Sequence, residues 1–401
     1  MAAAAVIARF PEAIPVPAHV VSILRHLEDA GYETWCVGGA IRDALLGEQH
    51  HPPQDVDLAT AATPDVVQHL FRRTIPVGVE HGTVGVLDED GVLHEVTTFR
   101  RDVRSDGRHA VVEFGVALDD DLARRDFTIN AMAYHPVRHE WRDPFGGVAD
   151  LSARSIRAVG NAAQRFHEDR LRILRALRFA ARFDFTIDPD TWAAAVDQSA
   201  ATGHLSAERV RDEWVKGVAT ARSTAQLASL WLRSGVAATW LPELRAVVPD
   251  DAAVDQRDPI LVTAHCAAPS ATVWRRFKGS SADIRRAEAI DRGPPAPASA
   301  DARVVRHWLA DVGDAADDLL TLAQWREAAG LDWIAVVAGI RIRGEATSRG
   351  ALAVNGGDVQ RAGVPAGPQV GIVLARLLAA VLDEPALNTR ARLLELMGGQ
   401  G

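Results

Sequence analysis

The sequence predicts an α+β protein, with a mixed α/β head built on a small mixed sheet and a long all-α remainder. Three observations predict it. Short apolar, β-prone runs alternate with helix-like segments as far as Phe99. The stretch Asp143-Pro-Phe-Gly-Gly147 carries Pro and paired Gly, which break regular structure, and reads as a hinge. From Leu151 onward nearly every segment carries apolar residues at helical spacing.

Taken in order, Val16 to Ala30 repeats apolar residues at Val20, Ile23, Leu24 and Leu27 and stops at Gly31, so it reads as an amphipathic helix. Thr34-Trp-Cys-Val37 reads as a strand, followed by a Gly38-Gly39 turn and a helix from Ala40 to about Leu46. Thr63-Pro64-Asp65 opens another helix through Phe71, with Thr63 as cap and Pro64 at the first position. Three β-like runs follow, Thr74 to Val79, Thr83 to Leu87 and Val92 to Phe99. The last two are joined by Asp88-Glu-Asp-Gly91, a hairpin signal. The expected result is a small mixed sheet with helices on one side. Arg100 to Gly115 is rich in arginine and interrupted by Ser105-Asp-Gly-Arg108, so it reads as a mobile loop.

Bulk properties narrow the function class. A chain of 401 residues with 48% hydrophobic and 24% charged residues has an ordinary soluble composition and room for several domains. A net charge of −9 argues against broad, non-specific nucleic-acid binding, though not against a local basic groove. Lys216 and Lys278 are the only lysines, so positive charge is almost all arginine. That suits bidentate contacts to phosphates and bases, and equally follows from a GC-rich genome. Two cysteines, Cys36 and Cys266, are too few for a disulfide framework, and no signal peptide or membrane span is read. A reducing cytoplasm is expected.

Two devices sit between Gly38 and Thr60. Backbone N–H groups of the Gly38-Gly39 turn face a free anion site at a helix start. Asp55 and Asp57, two apart in a strand-like segment, project from one face and can hold divalent metal ions. A phosphate cradle beside a carboxylate pair is what transfer of a nucleotidyl group to a hydroxyl requires. Each device alone is often only a turn or a solvated loop. Together, Gly-Gly-x-x-Arg-Asp followed by Asp-x-Asp-Leu-Ala-Thr resembles the class II nucleotidyltransferases of the polymerase β superfamily, which include bacterial tRNA CCA-adding enzymes and poly(A) polymerases. The resemblance implies a polymerase β-like head over 1–147, then an elongated all-α neck, body and tail over 148–220, 221–340 and 341–401.

The resemblance extends downstream. Glu95, in the run Val92 to Phe99, matches a third acidic residue of the family and would complete the metal site. An exposed strand glutamate paired with arginine is the plain alternative. Arg124-Arg125-Asp126-Phe-Thr-Ile-Asn130-Ala resembles the family's ribose and triphosphate motif. Its chemistry agrees, since Arg grips phosphate oxygens bidentately and Asp or Asn bonds ribose hydroxyls. Arg42 is a further triphosphate candidate, or merely a partner of neighbouring Asp43. The loop after Arg100 corresponds to a flexible loop that helps switch nucleotide specificity.

Glu168-Asp169-Arg170-Leu171-Arg172 to Arg175 resembles the nucleotide-reading motif, with Leu171, Leu174, Leu177 and Phe179 as the buried side. Asp169, Arg172 and Arg175 are then expected together on the opposite helix face. A carboxylate beside a guanidinium matches the amino group and ring nitrogen of cytosine or adenine, and mismatches uracil and guanine. Each mismatch leaves buried groups unsatisfied at about 1–3 kcal/mol. Asp169 and Arg172 are therefore assigned as an amino-acid template, Arg175 as a secondary candidate, and Glu168 as the positioner of Arg172. Ser206-x-Glu208-Arg209 to Glu213 resembles a motif that braces this helix. Trp274-Arg275-Arg276-Phe277-Lys278 and Arg285-Arg286 are basic spots that meet tRNA phosphates or are ordinary helix surface.

The function implied is template-independent addition of CTP and ATP to the 3' end of tRNA, with two Mg2+ ions held by Asp55 and Asp57 and assisted by Glu95. A poly(A) polymerase, or an enzyme adding only CC or only A, is the alternative. No membrane and no DNA partner is expected.

Overall fold

The computed structural model describes residues 10–47, 56–105, 110–245, 257–326 and 332–398. The chain divides into two compact units, Met1–Pro242 and Glu243–Gly401. The first holds all the β-structure of the head. Helix α1 (Ala18–Asp29) leads to β1 (Thr34–Val37), α2 (Gly39–Leu46), β2 (Asp57–Thr60) and α3 (Pro64–Leu70). Strands β3 (Thr74–Gly78), β4 (Thr83–Leu87) and β5 (Leu93–Thr98) follow, the last two joined by a turn in which Gly91 has φ +82° and donates to Asp88 O at 3.2 Å. These elements match the sequence expectation to within a residue or two at their ends.

The head sheet has seven strands, two more than the sequence suggested. Its order is β3-β4-β5-β2-β1-β8-β9, where β8 is Ala133–His135 and β9 is Glu140–Arg142. Only the β2–β5 pair is parallel. Helices cover both faces, which corrects the one-sided expectation. The face bearing Trp35, Val37 and Ala59 packs against Leu118 and Leu122 of α4 (Leu118–Ala123). The opposite face carries Cys36, Leu58, His94 and Val96, all buried; there α1 lies against β5, the His19 and His94 rings being 4.7 Å apart. With both faces covered, β1 reads as four consecutive buried residues instead of an alternation.

Two further expectations fail for local reasons. On either side of residues 106–109, which lie outside the described residues, the stretch expected as a loop forms a two-stranded ribbon, β6 (Arg100–Ser105) antiparallel to β7 (Ala110–Phe114). The Asp143 to Gly147 stretch is a helix-initiating turn: the Asp143 carboxylate accepts from Gly147 N at 2.6 Å and Val148 N at 3.0 Å, starting α5 (Gly147–Ser152).

Past α5 the first unit is helical apart from a short parallel pair, Ser155–Ile156 with Thr186–Ile187, and α6 (Ala162–Glu168), α7 (Leu171–Phe183), α8 (Pro189–Asp197) and α9 (Ala207–Thr220) are its main members. The second unit is helical throughout its described residues, from Pro259–Cys266 to Arg390–Gly398. Trp274 and Phe277 are core residues there. The neighbouring basic residues are paired internally, Arg276 with Glu243 and Arg286 with Asp258 and Asp318, both at 2.7 Å, and Arg275 with Glu288. A second cluster of Leu352, Val354, Leu377, Val381 and Leu393 forms a core near the C-terminal end. No helix among the described residues is long and apolar enough to cross a membrane.

Candidate active site between the head sheet and helix α7

The turn from β1 into α2 brings three groups together. Gly38 has φ +85° and ψ −150°, a region essentially reserved for glycine. A methyl group at this position would stand 2.9 Å from Asp57 Oδ2 and 3.7 Å from Arg125 Nη1. Val37 pairs with Asp57 across β1–β2, and Leu58 pairs with Val96 across β2–β5. Glu95 therefore stands level with Asp57 on the neighbouring parallel strand, and both side chains leave the same sheet face. Asp57 is half-buried and Glu95 exposed. Asp55 lies outside the described residues.

Arg124 and Arg125 are held by a residue the sequence reading did not single out. Asp121, fully buried on α4, accepts from Arg124 Nε at 2.8 Å through one oxygen and from Arg125 Nη2 at 3.2 Å through the other. Its spacing of three and four residues before the arginines was the available signal. Asp126 is buried; its Oδ1 accepts from Phe127 N at 2.8 Å and Asn130 Nδ2 at 2.9 Å, and its Oδ2 from Arg175 Nε at 2.7 Å. Burial opposes the charge, yet Arg175 and these donors outweigh it and hold the carboxyl below the usual range.

Arg42 is buried beside the stacked rings of Phe179 and Phe183, its guanidinium carbon 5.1 and 4.7 Å from their centroids. Its Nε donates to Asp43 at 2.8 Å and its Nη1 to Asn130 Oδ1. Burial is the main reason its pKa is lowered. Arg182 reaches the same Asp43 at 2.9 Å. Arg42 and Arg175 thus spend their donors on tying α2 and the Asp126 segment to α7.

Asp169 is not on the helix face where periodicity put it. It is extended, φ −147° and ψ 106°, in the break between α6 and α7. Its carboxylate accepts from Leu171 N at 3.0 Å, a local side-chain bond that competes with helix continuation. Arg209 of α9 donates to both Asp169 oxygens, at 3.1 and 3.0 Å. Arg172 donates to Glu168 at 3.1 Å, to Arg165 O at 3.2 Å and to Arg124 O at 2.8 Å, three of the five N–H donors of a guanidinium. The expected brace is present: Ser206 caps α9, Arg209 holds Asp169, and Glu213 takes Arg178 of α7 at 2.6 Å.

A single cavity of about 500 Å3 is lined by Gly38, Gly39, Arg42, Asp57, Arg124, Arg125, Asp126, Asn130, Asp169, Arg172 and Arg175. Residues up to 137 positions apart in sequence thus share one wall system, Gly38 being the first and Arg175 the last of them. Glu95 is not part of that lining. Leu171, Arg178, Phe179 and Arg182 complete it and were not singled out from sequence as cavity residues. Seven arginines against three aspartates in the lining make it a cationic chamber with a carboxylate at its sheet end, the electrostatic complement of a polyphosphate beside a metal-binding edge.

Comparison with known proteins agrees with this layout. A family model described as poly A polymerase head domain matches residues 34–157, and one described as a probable RNA and SrmB-binding site of polymerase A matches 184–247. CCA-adding enzymes of Levilactobacillus brevis and Lacticaseibacillus paracasei are 46% and 48% identical over 198 residues, 48% of this chain and 48% of each relative. The match therefore spans about half the length of these curated relatives. The CCA-adding enzyme of Bacillus stearothermophilus, solved in complex with CTP, has a TM-score of 0.79 at 33% identity, covering 95% of this chain and 96% of that one. The Thermotoga maritima CCA-adding enzyme complexed with tRNA-CCA, at 19% identity and a TM-score of 0.68 over 95% of both chains, shares the fold. The chain belongs to the poly(A) polymerase head-domain family of nucleotidyltransferases, the family that includes the CCA-adding enzymes.

Proposed function

We propose that the protein is a template-independent CTP and ATP:tRNA nucleotidyltransferase that builds or repairs the 3'-terminal CCA of tRNA. The observation that carries this reading is that Asp169 and Arg172, the pair suited to reading cytosine and adenine, open into the same cavity as Gly38 and Asp57. Asp169 keeps lone pairs beyond those used by Arg209 and Leu171, and Arg172 keeps two of its five donors. Such a pair accepts from an exocyclic amino group and donates to a ring nitrogen. Arg124 and Arg125, aimed by Asp121, neutralise the triphosphate, and the Gly38-Gly39 amides cradle it. Asp126 and Asn130 face the ribose.

The hard oxygens of Asp57 and Glu95 on one sheet face fit Mg2+, with Asp55 completing the set. Divalent ions bound there supply the charge that activates the RNA 3'-hydroxyl and steadies the leaving pyrophosphate. The four-part division at 147, 220 and 340 remains our finer reading of the two units. A cytoplasmic setting is proposed on the two thiols, both buried and unpaired, with their pKa pushed up to about 12 by burial.

The test is incubation of a tRNA lacking CCA with each nucleoside triphosphate alone and with CTP plus ATP, reading product length. We expect two C from CTP alone, CCA from the mixture, and no UTP or GTP incorporation. Long A tails would establish a poly(A) polymerase instead, and addition of only CC or only A a partial enzyme. Asp57→Ala is expected to abolish incorporation while CTP binding persists in part.

A further inference from the structure

On the sheet face opposite Asp57 and Glu95, His19 of α1, Asp88 of the β4–β5 turn and His94 of β5 place one ligand atom each within 4.8 Å of the others. His94 is 1% exposed. Its Nε2 is 3.0 Å from Asp88 Oδ2, and the other Asp88 oxygen accepts the Val92 amide at 2.8 Å, which fixes the carboxylate. A structural His–Asp pair locking the hairpin accounts for these two contacts. It does not account for His94 Nδ1, which is buried with no hydrogen-bond partner among the described residues. Nor does it account for the second imidazole, His19, whose ring lies 4.7 Å from that of His94.

We propose that His19, Asp88 and His94 form a binding site for a divalent ion of zinc-like softness, separate from the nucleotidyl-transfer site. Two neutral imidazoles and one carboxylate are a donor set that suits Zn2+ over Mg2+, because nitrogen ligands disfavour the harder ion. In a tetrahedral site with bonds of about 2.1 Å, ligand atoms stand about 3.4 Å apart, so closure from 4.8 Å is a matter of side-chain rotation. His19 is half-buried and can make that rotation. The fourth position faces a cavity of about 590 Å3 bounded by α1, the end of α3 and the β4–β5 turn, leaving room for water. The ion clamps α1 to the β4–β5 hairpin across the back of the sheet.

The test uses the full-length chain without a polyhistidine tag, stripped of metal. Titration with Co2+ is expected to give one equivalent with visible absorption bands of four-coordinate geometry, competed off by Zn2+ and not by Mg2+. His19→Ala, a change on the helix surface, is expected to lose that equivalent or weaken it at least tenfold, and to lose the thermal shift that Zn2+ gives the parent. His94→Gln, of similar volume, is expected to behave alike. Asp57→Ala is expected to keep the bands, since the catalytic carboxylates are not involved. Absence of a stoichiometric four-coordinate Co2+ spectrum, or an unchanged one in His19→Ala, overturns the proposal and leaves the nucleotidyltransferase reading untouched.

Discussion

At the scale of single residues, Arg42 separates a structural from a ligand-binding role. Its two amine ends are engaged by Asp43 and Asn130, and its guanidinium lies against the stacked pair Phe179 and Phe183. Removing it leaves Asn130 Oδ1 and one Asp43 oxygen short of partners in a largely dry place, although Asp43 keeps Arg182. We expect Arg42→Ala to cost about 2–4 kcal/mol, below the full penalty of an orphaned buried charge, read as a lowered denaturant midpoint. Arg42→Lys should recover less than half, because an ammonium cannot span both acceptors or stack as a plane. Unchanged stability together with a raised KM for CTP would assign Arg42 to the triphosphate instead. The sequence made Arg42 visible as a motif member, and proximity to Asp43 made the pairing visible too. The aromatic contact was not legible, since Phe179 and Phe183 are more than a hundred residues away. Asp121 was missed for the opposite reason: its signal, a spacing of three and four residues before Arg124 and Arg125, is wholly local, and it is blurred by the two aspartates beside it in Asp119-Asp-Asp121.

At the scale of elements, the turn into α2 is where backbone geometry and chemistry meet. Gly38→Ala forces a side chain into a glycine-only conformation, at about 1–3 kcal/mol, and drives its Cβ against Asp57 Oδ2. Relief requires Asp57 to move, and a misplacement of about 1 Å can cost on the order of 100-fold in rate. Gly47, at the other end of α2, provides the comparison: φ is +69°, yet no atom of the described residues lies within 4 Å of a methyl group there. Gly47→Ala should lose a similar backbone term and keep its turnover. Stopped incorporation assays on both variants read the difference, and equal loss of turnover in the two would show that the cradle acts only through stability. Elements with strong apolar spacing, such as α1, β4 and β5, were legible from sequence. The β6–β7 ribbon was not, because Arg-Arg-Asp-Val-Arg-Ser shows no one-sided apolar alternation of the kind a half-buried strand carries. Strands β8 and β9, three residues each, are too short for any period to show. Asp169 was placed on a helix face because periodicity runs unbroken through Glu168 to Arg175; the break comes from its own side chain bonding Leu171 N.

At the scale of the whole molecule, every residue lining the nucleotide cavity lies between Gly38 and Arg182, inside the first unit. That unit has its own sheet, covered on both faces, and its own helical brace through Asp169, Arg209 and Glu213. No described residue of the second unit lines the cavity, and several arginines that sequence marked as basic spots are neutralised by its own carboxylates. On the proposed function we assign the choice of CTP or ATP to the first unit, which holds the cavity, and the grip on a long RNA to the second. A fragment of residues 1–242 with native-like circular dichroism should bind CTP within about twofold of the full chain, while its turnover on tRNA lacking CCA falls by at least 100-fold through KM for RNA. Two different energy sources separate these outcomes. Triphosphate and base contacts are made by side chains already fixed by buried partners, so their geometry survives loss of distant helices. RNA affinity is a sum of many phosphate contacts spread over area, and it falls steeply when the area is removed. Loss of CTP binding in a folded fragment would show that the second unit shapes the cavity, and full tRNA turnover would show that it has no part in RNA binding.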